Sequence, residues 1–156
     1  MTVTIEPVAY ADKSVLGRLL QLYLYDFTEF QPRELNAHGE FEYRYLDLYW
    51  APDYGEKRYP FFIRSEGSLA GFAMVRFVNG VNVMSEFFVL RPYRRRGVGA
   101  AAARAVFAAL PGRWLVPEVT ANLAAQAFWH GVIDGVTGGR FDEVRDENGL
   151  TQRFTT

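Results

Sequence analysis

The apolar residues near the start of the chain recur at helical spacing and predict an amphipathic helix over residues 12–30. Six of them share one helix face: Leu16, Leu19, Leu20, Tyr23, Leu24 and Phe27. Asp12 is of a residue type that commonly caps the first turn of a helix. Residues 3–7 alternate in polarity and predict a short edge strand. Residues 31–60 are aromatic, acidic and interrupted by prolines and glycine, which predicts loops around one short helix over residues 40–48.

Strand-like runs follow. Three segments rich in Val, Phe and Met cover residues 61–64, 69–78 and 81–90. The turn between the last two is Asn79-Gly80, and both residues tolerate the positive φ that a type I′ hairpin turn requires. The pattern therefore predicts an antiparallel meander of three strands.

The second half of the chain alternates between helix and strand. It predicts a helix over residues 97–110, a strand over 114–119, a helix over 121–133 and a hairpin with strands 140–145 and 150–154. We find no internal repeat or linker. We therefore expect one domain over residues 1–156, with an α/β fold of the mixed α+β type: an antiparallel meander, then β-α-β-α and a C-terminal hairpin.

Composition excludes several kinds of chemistry. The chain contains no cysteine, which rules out disulfide frameworks, zinc–cysteine sites and covalent cysteine mechanisms. His38 and His130 are its two histidines, and we expect no metal site. The first ten residues lack the pattern of a signal peptide, and the most apolar segment, residues 97–110, is too short to span a bilayer. We therefore expect a soluble cytoplasmic protein that does not engage a membrane.

The net charge of −1 hides two segments of opposite charge. Residues 26–56 carry eight acids and two bases, whereas residues 91–113 carry six arginines and no acid. Two segments of opposite charge suit an enzyme that joins an anionic reactant to a cationic one. Two charged surfaces that simply face solvent would give the same pattern. Nucleic-acid binding through the arginines is a further alternative, and the acidic segment argues against it.

The chemistry is concentrated in residues 89–100, which end in Arg94, Arg95, Arg96, Gly97, Val98, Gly99 and Ala100. Glycines that open a helix leave its first N–H groups free and let an anion approach the backbone closely. Neighbouring guanidinium groups suit phosphate. The run therefore predicts a phosphate site; the alternative is a helix start whose small residues serve close packing.

A dinucleotide-binding loop is a formal competitor. Residues 97–102 match the fingerprint G-x-G-x-x-A, and Glu118 lies near the position of the acid that binds ribose. In that fingerprint the strand runs directly into the first glycine, whereas six residues intervene here. The preceding strands also form a meander and not a parallel unit. We reject this interpretation.

Two motifs resemble a known family. Residues 94–99 resemble the pyrophosphate loop of the GNAT superfamily of acetyl-CoA-dependent N-acetyltransferases, whose pattern is Gln/Arg-x-x-Gly-x-Gly/Ala. Residues 122–129 resemble that family's N-x-x-A-x-x-F-Y segment, and residues 81–90 resemble its fourth strand. The resemblance covers essentially the full chain. It implies a GNAT-like acyl-CoA N-acyltransferase fold, acetyl-CoA as the acyl donor, and an amine acceptor.

The resemblance also implies residue roles. Backbone groups of Phe88, Val89 and Leu90 would pair with the pantetheine arm where the fourth and fifth strands separate. Backbone amides would hold the pyrophosphate at Arg94, Arg95, Arg96, Gly97, Val98, Gly99 and Ala100. Asn122 would contact the pantetheine or help to hold the strands apart, and Phe128 would pack beside the cofactor arm.

Acetyl transfer requires a neutral amine, so some group must accept a proton from the ammonium form. Glu86 is our candidate because it is the only acid between Gly67 and Glu118, and its strand is otherwise apolar. The alternative is an ion pair between Glu86 and an arginine on a neighbouring strand. Without a cysteine for an acyl-enzyme, direct attack in a ternary complex is the simplest mechanism.

The chain departs from the family at Trp129, where family members often have a tyrosine that protonates the departing thiolate. An indole N–H donates a hydrogen bond but is not a workable acid. Another tyrosine, water or no acid at all would then serve. Trp129 also supports a second hypothesis, a sensor domain of the same fold that binds acyl-CoA and transfers poorly.

The acceptor site is predicted within the aromatic, acidic segment. Tyr25 and Glu29 are our candidates for substrate binding, in a cage for a cation that would also draw on Tyr43, Tyr45, Tyr49, Trp50 and Tyr54. The alternative is that most of these rings belong to the core. We favour a small amine over a protein lysine as acceptor, and a homodimer is compatible with the sequence.

Overall fold

The structure is a computed structural model that describes residues 1–51 and 55–156. Within these ranges it has seven strands: β1 (Val3–Pro7), β2 (Lys57–Ser65), β3 (Ser68–Val78), β4 (Val81–Val89), β5 (Arg113–Val119), β6 (Phe141–Arg145) and β7 (Gly149–Thr155). It has three α-helices: α1 (Lys13–Phe27), α2 (Val98–Ala109) and α3 (Leu123–Thr137). Short 3₁₀ helices lie at Tyr10–Asp12, Leu46–Tyr49 and Arg91–Tyr93. The predicted mixed α/β fold is confirmed.

The seven strands form one mixed sheet in the order β1-β2-β3-β4-β5-β7-β6. Every neighbouring pair is antiparallel except β4 and β5, which run parallel. These two strands pair at Asn82 with Trp114 and at Val83 with Leu115, near their starts. From there to Val89, β4 has no paired residue on β5 within the described ranges. The two strands thus diverge and leave an opening at their carboxyl ends.

A β-bulge on β4 decides which side chains face which layer. Met74 on β3 pairs with Glu86, whereas the next residue, Val75, pairs with Met84, so Ser85 is an extra residue on β4. Residues two apart on a regular strand share a face. Because of the bulge, Met84 packs into the core beneath α2 and α3, while Glu86 points to the α1 side.

Helices cover both faces of the sheet. On one face α2 and α3 pack over a cluster that includes Phe107, Trp114 and Ile133, all nearly inaccessible to solvent. On the other face α1 places Leu16 and Leu20 against Phe72 of β3. Burial of these apolar faces is the main stabilising contribution to such a layered fold. None of the helices in the described part of the chain is long and apolar enough to cross a membrane.

The local turn signals predicted the meander correctly. Asn79 and Gly80 adopt φ values of 52° and 76°, as the hairpin between β3 and β4 requires. The hairpin between β2 and β3 has the same form at Glu66 and Gly67, with φ of 50° and 79°. Strand β2 begins at Lys57, four residues before the predicted start, because pairing with β3 continues past Pro60.

The predicted helix over residues 40–48 is wrong. Both backbone groups of Phe41 bond to the side chain of Gln21 on α1, each at 2.8 Å, so they are not available for helical bonds. A short 3₁₀ helix at Leu46–Tyr49 is what forms there. Helix α1 also ends earlier than predicted, since Thr28 bonds the carbonyls of the last turn through its backbone N–H and its hydroxyl. Asp12 lies at the N-cap, but its side chain makes no capping hydrogen bond.

Candidate active site

An open cleft of about 1570 Å³ lies where β4 and β5 diverge. One wall comes from the end of α1 and from lining residues between positions 29 and 45. The opposite wall comes from β5, the start of α3 and the β6–β7 hairpin, and the loop before α2 closes one side. The cleft therefore brings the acidic segment and the arginine-rich segment of the sequence together.

The loop before α2 presents a row of free backbone donors. The N–H groups of the six residues from Arg95 to Ala100 donate to no acceptor in the described part of the chain. Arg95 and Gly97 have left-handed φ values of 59° and 81°, which turn the loop into the helix start. Gly99 leaves room for a close neighbour, because a Cβ there would stand 3.3 Å from the Phe128 ring. Free amides at a helix N terminus bind anions.

Two arginines of this loop are held by a carboxylate on α1. Arg91 and Arg94 donate to the two oxygens of Asp26 at 2.8 and 2.9 Å. Arg94 also donates from Nε to the carbonyl of Val89 at 2.7 Å and lies over the ring of Phe88. Burial opposes ionisation of Asp26, but the hydrogen bonds from both arginines keep its pKa below the usual value. The guanidinium of Arg94 is thus held by two hydrogen bonds and one ring contact within the protein.

Glu86 is a largely buried carboxylate on the α1 side of the cleft. The hydroxyl of Tyr43 donates to its Oε1 at 3.4 Å, and Tyr23 donates to it as well. Burial raises the pKa of Glu86 above its usual value, while these two hydrogen bonds and the charge of Arg33 act in the opposite direction. Burial next to Glu86 also raises the pKa of both tyrosines, which therefore remain hydrogen-bond donors. Such a carboxylate is suited to accept a proton.

The start of α3 forms part of the opposite wall. The side chain of Asn122 caps this helix, accepting from the Ala125 N–H at 3.0 Å, and the residue lines the cleft. Phe128 lines the cleft and stacks on Phe87 at 5.9 Å. Trp129 is 5% exposed and packs edge-on against Phe87.

A model of the acetyltransferase (GNAT) family matches residues 19–131. The chain belongs to the GNAT acetyltransferase family.

Solved structures share the fold over nearly the whole chain. A GNAT-family acetyltransferase from Staphylococcus aureus Mu50 has a TM-score of 0.64 at 10% identity, with 99% of each chain covered. The PaiA N-acetyltransferase from Thermoplasma acidophilum, in complex with coenzyme A, has a TM-score of 0.62 at 8% identity, with 100% of each chain covered. The aminoglycoside acetyltransferase AAC(6')-Ib, with coenzyme A and kanamycin, has a TM-score of 0.67 at 14% identity, covering 99% of this chain and 95% of that one. At such identities the likeness shows the fold alone. No curated protein matches the sequence.

Most residues predicted for the cofactor side of this GNAT protein line the cleft: Phe88, Val89, Arg94, Arg95, Gly97, Gly99, Ala100, Asn122 and Phe128. Three others lie outside the lining. The Leu90 N–H bonds the Ala70 carbonyl at 2.8 Å, so this amide is used within the protein. Val98 buries its side chain, and Arg96 turns away to the Pro92 carbonyl at 3.3 Å. The side chains of Val98 and Arg96 thus lie away from the cleft, and only their backbone N–H groups remain available to a ligand.

The predicted acceptor cage is only partly assembled in this GNAT cleft. Glu29, Tyr43 and Tyr45 line it. Tyr25 does not; its side chain is 66% exposed on the outer face of α1, with its ring 6.5 Å from Phe41. Trp50 donates to the Val8 carbonyl, Tyr49 is buried in the α1-side core, and Tyr54 lies outside the described residues. The ion pair considered for Glu86 is also absent from the described residues, since Arg76 of β3 instead pairs with Glu56 at 2.8 Å.

Sequence reasoning missed three charged residues of this GNAT cleft. Arg33 lines the acceptor wall, and its isolation among acids was the available signal. Asp26 contacts residues 65 and 68 positions away, which no local pattern indicates. Glu118, considered only for a ribose, is a buried carboxyl on β5, and burial raises its pKa to about 8.

Proposed function

We propose that this protein is an acetyl-CoA-dependent N-acetyltransferase that acetylates a primary amine by direct attack in a ternary complex, with residues 1–156 as one catalytic domain. The observation that carries the proposal is a shared cleft. Four of the six residues with free backbone amides around the start of α2 line the same cleft as the largely buried carboxylate of Glu86, between diverging parallel strands. One part suits an anionic donor, and the other suits an amine.

The donor side fits a pyrophosphate-bearing ligand. The amides from Arg95 to Ala100 would bind its phosphate oxygens, with the positive end of the α2 dipole behind them. Arg95 lines the cleft and has no ion-pair partner among the described residues, so its guanidinium is available to phosphate. The edge of β4 at Phe88 and Val89, which β5 leaves unpaired, would hold the pantetheine arm beside Phe128.

The acceptor side supplies the proton acceptor. Acetyl-CoA brings an acetyl group in a thioester, a form that a neutral amine can attack. An alkylammonium ordinarily has a pKa of about 10.4, so Glu86 would take its proton, directly or through one water. The amine nitrogen forms the new bond to the carbonyl carbon, the carbon–sulfur bond breaks, and CoA leaves as the thiolate. The second proton lost from nitrogen passes to the thiolate or to solvent, and Glu86 releases the first proton to solvent before the next turnover.

A second candidate is a sensor that binds acyl-CoA and transfers poorly. The observation that favours it is Trp129, which lines the cleft at the position of the family's tyrosine. An indole cannot protonate a thiolate. Thiolates are good leaving groups, however, and transfer does not strictly require an acid at this position.

One paired experiment separates the two candidates. Calorimetry measures CoA binding, and thiol release from acetyl-CoA is followed with a panel of primary amines. We expect binding together with turnover on at least one amine, and a large loss of turnover in Glu86→Gln with CoA binding retained. Binding without turnover on any amine would favour the sensor. No binding of CoA at all would contradict both.

A further inference from the structure

Arg33 places an exposed guanidinium on the acceptor side of the cleft. It lines the same cleft as Glu86, and its charge acts on the ionisation of both Glu86 and Tyr23. It forms no ion pair or hydrogen bond with any described residue. A cation that faces a reaction cleft without a partner is free to bind an anionic group of a ligand.

The other arginines along this cleft are engaged or belong to the donor side. Arg91 and Arg94 share the carboxylate of Asp26. Arg44 donates to the hydroxyl of Tyr45 at 3.1 Å and lies over its ring. Arg95 lies on the loop whose free amides face the donor. On the acceptor wall, among the described residues, this leaves Arg33 as the guanidinium without a partner.

Aromatic rings line the cleft next to Glu86. The ring of Tyr23 lies 5.5 Å from Phe27 and 5.7 Å from Phe88, and Phe27 lies 5.6 Å from Phe30. All four residues line the cleft. They form a continuous apolar surface, and such a surface favours a ligand with an apolar or aromatic side group.

We propose that the acceptor is a free amino acid with an apolar or aromatic side chain, whose amine is held at Glu86 and whose carboxylate is bound by Arg33. This inference rests on the proposed N-acetyltransferase function. A simple amine would leave Arg33 without a partner, and a peptide N terminus carries no carboxylate next to its amine. Glu29 and Glu42 also line the cleft and are exposed, as Arg33 is, so water screens all three charges and Arg33 acts through direct contact with the carboxylate.

The test uses matched sets of acceptors at saturating acetyl-CoA. Each set contains an amino acid, its amide and its decarboxylated amine: phenylalanine with phenylalanine amide and phenethylamine, leucine with leucine amide and isopentylamine. Values of kcat/KM are expressed per concentration of neutral amine, because the amines differ in pKa. We expect the free amino acids to be preferred about fivefold over both analogues, the upper range for an ion pair with an exposed arginine.

Arg33→Gln should remove this preference, so that kcat/KM for each free amino acid falls to the level of its amide and its decarboxylated amine measured with the same variant. Arg33→Lys should restore part of it. Arg104→Gln serves as the matched control, since Arg104 is an exposed arginine on α2 outside the cleft lining. A thermal melt of each variant checks that the fold is intact.

Three outcomes overturn the inference. Equal use of acids, amides and amines by the wild type is the first, and an undiminished preference in Arg33→Gln is the second. In both cases amines still turn over, so the proposed N-acetyltransferase function stands. The third is an absence of thiol release with every acceptor, in which case the proposed function fails together with the inference.

Discussion

Asp26 and Arg94 form an ion pair of 2.9 Å that joins the end of α1 to the loop before α2. Both side chains are about one third exposed, and Arg91 binds the second oxygen of the same carboxylate. Because Arg94 also donates to the Val89 carbonyl, the pair ties the acceptor wall, the edge of β4 and the amide loop into one unit. We therefore expect Arg94, the first arginine of the loop motif, to act as a positioning residue for the amides that follow.

Asp26→Asn should therefore weaken CoA binding without touching the free amides. We expect a loss of about 1 kcal/mol, or roughly fivefold in Kd, because the pair is partly solvated and a surface ion pair contributes little more. Calorimetry with CoA measures the change. Asp142→Asn is the matched control, since it breaks an exposed pair with Arg153 on the β6–β7 hairpin. If Asp26→Asn bound CoA as tightly as wild type or tighter, Asp26 would not be positioning the loop.

Glu86→Gln should slow acetyl transfer by about a hundredfold or more and leave the affinity for CoA nearly unchanged. General bases contribute factors of this size, and the amide retains the shape and the hydrogen bonds from the tyrosines. Glu42→Gln is the control, because Glu42 is an exposed acid that also lines the cleft. An unchanged rate in Glu86→Gln would remove Glu86 from the mechanism.

The pH profile gives an independent test of the same residue. A base acts only when ionised, so kcat/KM should fall as the pH drops through the pKa of Glu86. Burial places that pKa above the ordinary glutamate value. This fall of kcat/KM at low pH should be absent from the residual activity of Glu86→Gln, and it should persist in Glu42→Gln. If the same fall of kcat/KM remained in Glu86→Gln, a group other than Glu86 would be responsible for it.

Local signals predicted much of the fold but not the placement of Glu86. The turn residues Asn79 and Gly80 need nothing beyond their own conformational preferences, so the meander was readable from the sequence. Strand alternation alone would place Met84 and Glu86 on one face. The bulge at Ser85 separates them, and its position depends on pairing with β3 rather than on the residues of β4.

On the acceptor wall, one error of the sequence-based prediction was avoidable and one was not. Tyr25 lies two positions from both Tyr23 and Phe27, and helical geometry turns such a residue to the opposite face. Its exclusion from the cleft was thus predictable. The contact between Asp26 and the arginine loop was not, because it depends on how α1 packs against the sheet.

Gly97→Asp should abolish or severely weaken CoA binding. The substitution adds a negative charge where the free amides would hold phosphate, and it adds a Cβ at a φ of 81° that favours glycine. Gly97→Ala separates the two effects, since it adds the Cβ without the charge. Gly67→Asp is a further control: its φ is 79°, and it lies in the hairpin between β2 and β3 with nothing close to an added Cβ. Unaltered CoA affinity in Gly97→Asp, measured by calorimetry, would contradict the assignment of the loop.

Glu118 should make the stability of the fold depend on pH. Its carboxyl is 7% exposed, and burial raises its pKa to about 8 from 4.5, so the folded state favours the protonated form. The contribution of this group to the free energy of unfolding is therefore complete below about pH 4.5. It declines as the pH rises and is lost above about pH 8.

Glu118→Gln should remove this dependence and keep a neutral side chain of the same shape beside Gln152. We expect the variant to be more stable than wild type at pH 9 by roughly 1–3 kcal/mol, the cost of leaving a buried polar group unsatisfied, and the difference to shrink toward pH 5. Denaturant unfolding at several pH values measures it, with Glu34→Gln as an exposed control. If the gap between wild type and Glu118→Gln stayed constant from pH 5 to pH 9, the carboxyl would not titrate in this range and its burial would have no effect on its ionisation.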